Sequence, residues 1–267
     1  MPWQRAVIRL VAITAIFNGA AVAALFVFQS ALLFPVPSRD MMIAEGFQPV
    51  TIESGNGRIL RAIFRDTENE RGAVIFFHGN GSIPSDEQGR ARILSDAGFD
   101  VLLAGYSGYG GSDGQPSAEN LLEDALASYD WIASKTSAPL FTYGSSLGTG
   151  LAVHTAANRD VEAIVLEAPY DELVAIAADR YPWVPVNPLF RNNIASVQQI
   201  GSLNMPILIM HGTRDATIPI KHGRALANAG GDTIDFVVFE GAGHSDLVQR
   251  GSLQRALLFV DEVVASL

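Results

Sequence analysis

The hydrophobic pattern divides the chain into two unlike parts. From Leu10 to Ser38 no residue is charged, and between Leu10 and Leu33 nearly every side chain is Ala, Val, Ile, Leu or Phe. Thr14, Asn18, Gln29 and Ser30 are the clearly polar exceptions. A helix crossing a bilayer needs about 20 apolar residues, because every backbone amide must be satisfied inside the segment. Residues 1–38 therefore read as an N-terminal membrane anchor, ended by Pro35 and Pro37. A cleaved signal peptide is the rival reading. Ala21-Val22-Ala23 has the small-residue signature, but cleavage there leaves the apolar stretch Ala24–Leu33 at the new end.

Beyond the anchor the pattern changes to alternating strands and helices. Residues 47–65 read as a hairpin: Val50-Thr51-Ile52, a turn at Gly55-Asn56-Gly57, then Ile59 to Arg65. Four later runs are apolar at every position: Ala73 to Phe77, Val101 to Leu103, Ala163 to Leu166 and Ile207 to Met210. Strands apolar on both faces belong to parallel sheets covered on both sides. Helical stretches fall at about 85–97, 117–136 and 147–158. Phe236 to Phe239 reads as one more strand, and Leu253 to Val264 as a closing amphipathic helix. This order predicts an α/β fold, a mostly parallel doubly wound sheet with an N-terminal antiparallel hairpin, behind one transmembrane helix. Residues 39–267 are expected to form that single domain.

Charge narrows the partners. The 267 residues carry 18 basic and 28 acidic side chains, a net charge of −10. Phosphate backbones are repelled by such a chain, so nucleic acid is an unsuited partner. Arg5 and Arg9 precede the apolar run, whereas Arg39 after it is offset by Asp40 and Glu45. That bias predicts a cytoplasmic N-terminus and a domain on the far side of the membrane, which in a bacterium is the periplasm. With no cysteine, disulfides, thiolate metal sites and a Cys nucleophile are excluded.

Open parallel sheets place their chemistry at the carboxyl ends of the strands. Here those ends lead into His78-Gly79-Asn80-Gly81, Gly144-Ser145-Ser146-Leu147-Gly148, His211-Gly212-Thr213-Arg214-Asp215 and Glu240-Gly241-Ala242-Gly243-His244. The pattern G-x-S-x-G occurs twice, at Ser146 and at Ser112. A nucleophile elbow needs a strand entering and a helix leaving, and Ser146 has both. Ser112 lies in a glycine-rich loop and reads as a surface turn capping the next helix. A serine hydroxyl needs a base, and the base an orienting acid. Of five histidines, His244 stands in a flexible loop after the last strand and is the expected base. His78 and His211 are expected to shape turns, and His154 and His222 to pack in helices. Asp215 follows the strand between nucleophile and base and is the expected acid; Asp171 is the alternative. Asp246 reads as a brace for its own loop.

The order Ser146, Asp215, His244 resembles that of the α/β hydrolases, over essentially residues 40–267. The segment Gly105-Tyr106-Ser107-Gly108-Tyr109-Gly110-Gly111-Ser112 narrows the likeness. It is similar to the anchored single-pass α/β-hydrolase-domain proteins, often labelled serine-aminopeptidase-like, whose relatives include protein depalmitoylases. After Asn80 the chain departs from them, with Gly81-Ser82-Ile83-Pro84 where a second Gly-Asn is common. The resemblance implies attack by Ser146 on an acyl carbonyl, with the backbone amides of Asn80 and Leu147 as oxyanion hole. No step needs a metal or organic cofactor. Between Leu166 and Pro206 there is room for a small lid, around 170–204. Within it Tyr181-Pro182-Trp183-Val184-Pro185 is apolar and stiff, either a packed loop or, through Tyr181 and Trp183, a wall for an acyl chain. An ester, thioester or lipid-like substrate is expected. Peptidase activity and a non-catalytic interaction protein on the same fold remain open.

Overall fold

A computed structural model describes residues 2–68 and 70–267; Met1, where the expected anchor begins, and Asn69 lie outside them. The chain starts with one long helix, α1 (Pro2–Leu33), and then builds an eight-stranded sheet. Strands β1 (Gln48–Ser54) and β2 (Arg58–Arg65) form the expected antiparallel hairpin, turned through Asn56 at φ 58°. The remaining strands are β3 (Gly72–Phe77), β4 (Phe99–Leu103), β5 (Leu140–Ser145), β6 (Ala163–Glu167), β7 (Ile207–Gly212) and β8 (Ile234–Phe239). Their spatial order is β1-β2-β4-β3-β5-β6-β7-β8, with β2 antiparallel to β4 and every later neighbour parallel. This is the α/β-hydrolase fold.

Alternation along each strand sorts the core into two layers. Ile75, Phe77, Leu102, Leu166 and Ile209 share one cluster with α3 (Ala118–Ala133), α4 (Gly148–Asn158) and α7 (Ile220–Gly230). Val74, Phe76, Val101, Val165 and Leu208 share the other with α2 (Gln88–Asp96) and α8 (Ser252–Val264). With both faces covered, strands that are apolar throughout lose nothing to water, and this is why β3 to β7 lack a polar face. The segment from Tyr170 to Asn204 carries only α5 (Leu173–Arg180), α6 (Val186–Leu189) and short 3-10 turns.

One expectation needs correction. Ser112 does not cap a helix. It is buried, and its hydroxyl accepts from the Arg61 amide at 2.8 Å, tying its loop to β2. The cap of α3 is Ser117, which accepts from the Asn120 amide at 3.1 Å. Four residues of loop between the two serines let Ser117, not Ser112, sit at the helix start. The N-terminal helix also packs onto the domain. Phe34 is 1% exposed within the first core layer, and α1 meets the domain along its last third.

Candidate active site

The sheet reverses its winding between β3 and β5, and a crevice opens at such a switch point. Ser146 follows β5 and adopts φ 51°, a left-handed conformation that a non-glycine residue holds only under constraint. The constraint is visible: its amide donates to the Glu167 carbonyl at 2.9 Å, and its own carbonyl accepts from the Thr149 amide and hydroxyl. The flanking glycines are required by space. A Cβ on Gly148 would lie 2.0 Å from the Phe77 carbonyl oxygen, and one on Gly144 2.5 Å from that of Gly148.

His244, from the loop after β8, reaches this elbow. Its Nε2 lies 3.0 Å from Ser146 Oγ and its Nδ1 2.7 Å from Asp215 Oδ2. A carboxylate only accepts, so Nδ1 carries the proton and Nε2 presents its lone pair to the serine hydroxyl. Asp215 Oδ1 meanwhile accepts from the amides of Thr217 and Ile218, both at 2.8 Å. Burial by itself would raise the Asp215 pKa. The bonds from His211, His244 and the Ile218 amide outweigh it and hold the carboxyl well below the usual range. Asp215 is therefore a fixed anion beneath the imidazole.

The other candidates lie elsewhere. Asp171 bonds His222 Nδ1 at 2.8 Å, while Asp179 bonds His222 Nε2 at 2.9 Å. These carboxylates occupy opposite ring nitrogens and do not converge, and among the described residues no cluster is arranged to hold a metal ion. His211 Nε2 lies 2.8 Å from the Ile218 carbonyl, shaping the turn after β7. Asp246 Oδ1 accepts from the Gly243 amide at 2.6 Å, bracing the loop of His244.

The loop of Asn80 follows β3 and lies against the elbow: a Cβ on Gly79 would meet Ser146 Cβ at 3.5 Å. Leu147 opens α4, where amides have no partner within the helix and point toward anions. Tyr109, which the sequence marked only as part of a glycine-rich loop, donates to Asn80 Oδ1 at 3.1 Å. Beside the site, a cleft of about 490 Å³ runs between α1, α5 and the turn after Asp215; Tyr181 lines it. Tyr181 also lines a second, tighter space of about 80 Å³ between α1 and residues 184–190. Trp183 lines neither and is 55% exposed, a correction to its expected place in the pocket.

Comparison with known proteins places this geometry among hydrolases. The family model for serine aminopeptidase S33 (Hydrolase_4) matches residues 68–185. An uncharacterised Mycobacterium tuberculosis protein is 32% identical over 89% of this chain and 88% of its own length. Human alpha/beta hydrolase domain-containing protein 17B is 30% identical over 86% of this chain and 80% of its own. An esterase of Pyrococcus furiosus superposes with a TM-score of 0.72 at 18% identity, over 86% of this chain and 97% of that one.

Proposed function

The chain belongs to the α/β-hydrolase superfamily and is a hydrolase; from that starting point we propose that it cleaves acyl esters or thioesters by a serine mechanism. The observation that carries this reading is the unbroken hydrogen-bond path from Ser146 Oγ through His244 to Asp215.

In the first half-reaction Ser146 Oγ bonds to the acyl carbon while its proton passes to His244 Nε2. The carbon–oxygen or carbon–sulfur bond to the leaving group then breaks, and His244 returns the proton to the departing alcohol or thiol. Water repeats the sequence on the acyl-enzyme, releasing the acid and restoring the serine. Asp215 keeps the imidazole in its useful tautomer and stabilises it when charged. The Asn80 and Leu147 amides meet the negative charge that develops on the carbonyl oxygen, each such donor contributing about 2.7–4 kcal/mol in the transition state. Residues 39–267 form the hydrolase domain, 170–204 its lid, and 1–38 a membrane anchor with its N-terminus cytoplasmic. In favour of the anchor, the exposed helix Trp3–Leu33 is long and apolar enough to span a bilayer.

A peptidase acting on the same site is the second reading, favoured by the serine aminopeptidase family match. Fluorophosphonate labelling tests the serine mechanism: labelling abolished by Ser146→Ala is expected, and labelling that survives the substitution overturns it. Turnover of p-nitrophenyl esters beside aminoacyl p-nitroanilides separates the two readings. Preference for the anilides would make the protein a peptidase.

A further inference from the structure

Gln29 and Ser30 interrupt an apolar helix and take no part in the chemistry, yet both are bonded across the fold to one short stretch of chain. Gln29 Oε1 accepts from the Arg191 amide at 2.9 Å, and its Nε2 donates to the Leu189 carbonyl at 3.3 Å. Ser30 Oγ accepts from Asn192 Nδ2 at 3.0 Å. Arg191 adds a bond from its guanidinium to the Phe26 carbonyl at 2.9 Å and stacks over the Phe26 ring. The last third of α1 is thus fastened to the lid.

The helix positions withdrawn from solvent are Val22, Leu25, Gln29, Ser30 and Leu33, a single stripe at helical spacing; residues 3–21 are exposed throughout. Counting about 20 residues of hydrocarbon span from Leu10, the first uncharged position, ends near Gln29. Val22, Leu25 and Phe26 therefore lie at the depth of the lipid chains. These three side chains face the space of about 80 Å³ whose opposite wall is Ala177, Tyr181 and Val184. Leu32, Leu33, Ala177 and Tyr181 line both this space and the cleft that ends at Ala216 and Thr217, next to Asp215. Leu33 itself accepts from Asn80.

We propose that this groove is an acyl-chain site walled on one side by the anchor helix itself, through which a fatty-acyl ester resident in the bilayer reaches Ser146 sideways. The proposal rests on the serine-hydrolase reading for its chemistry, but not for its occupancy. A water-borne substrate would have no need of a wall embedded at lipid depth. An acyl chain gains by passing from bilayer to groove without crossing water, since both surroundings are apolar.

The test uses the full-length chain in phosphatidylcholine vesicles with a diazirine-bearing palmitic acid, cross-linked by light and mapped by mass spectrometry. Cross-links are expected on the Val22–Leu33 stripe together with residues 177–190, displaced by unlabelled palmitate. Ala177→Trp and Val22→Trp, which fill the groove from opposite walls, are expected to lower this labelling at least about tenfold, and with it the ratio of kcat/KM for p-nitrophenyl palmitate over butyrate. Ile16→Trp, on the outward part of α1, leaves both unchanged. Labelling spread over α1 without the lid, or unmoved by either groove substitution, overturns the proposal. Groove labelling in a protein whose Ser146 fails to react with fluorophosphonate would keep the site and sink the serine-hydrolase reading. A reactive Ser146 with no groove labelling would do the reverse.

Discussion

The side-chain amide of Asn80 donates to the carbonyl of Leu33 at 2.6 Å, joining the loop that supplies a proposed oxyanion donor to the last turn of α1. One residue on, Phe34 is buried with the main core. The N-terminal helix and the loop of Asn80 are therefore one packed unit, and disturbing their junction should cost stability. Phe34→Ala is expected to lower unfolding free energy by about 3–5 kcal/mol, read by urea denaturation of the full chain in detergent. A change below about 1 kcal/mol would mean that the junction is loose.

Asp215 and Asp171 compete as partners for a histidine in the sequence, and their contacts assign them to different ones. Asp215→Asn should lower kcat for a short p-nitrophenyl ester about 10⁴-fold while circular dichroism stays native, because the imidazole loses its tautomer. Asp171→Asn, which loosens His222 instead, should leave kcat within about threefold and cost about 1.5–3 kcal/mol of lid attachment. Limited proteolysis near residues 180–190 reports the second effect. A reversed pattern of kcat losses would exchange the two roles.

Acid should weaken the fold before carboxylates are exhausted. His78 is 1% exposed; burial, only partly countered by its bond to the Gly79 carbonyl and by Asp86, lowers its pKa to about 4 from 6.5. The unfolded chain then binds the proton more readily, so stability is full above pH 6.5 and is lost as pH falls toward 4. The loss from His78 amounts to about 3 kcal/mol. His154, also lowered by burial, acts in the same direction. Urea midpoints between pH 7 and 4 measure the slope. His78→Phe keeps the stacking on Tyr106 and should flatten it, and an unchanged slope would place the acid sensitivity elsewhere.

Gly148→Ala should disrupt the elbow outright. The added Cβ meets a backbone oxygen, which cannot swing aside as a flexible side chain would. A loss of about 3 kcal/mol is expected. Thermal melting measures it, and a wild-type Tm would show that β3 and α4 can part without cost.

Much of this was already written in the chain. Runs apolar at every position named β3, β4, β6 and β7, because a strand covered on both faces needs no polar side. Gly144-x-Ser146-x-Gly148 between a strand and a helix marked the elbow, because the requirement for glycine there is local. Chain order also singled out Asp215 and His244. Only tertiary packing decided what those groups touch. Ser146 and His244 are 98 positions apart and Gln29 and Arg191 are 162 apart, so no periodicity relates them. Ser112 looked like a cap until the loop length put Ser117 at the helix start, and Trp183, one candidate pocket wall, is exposed in the fold. The polar pair Gln29 and Ser30 was legible as an oddity within an apolar helix. That they fasten α1 to residues 189–192 depended on where that segment came to rest, and long-range packing alone determines that.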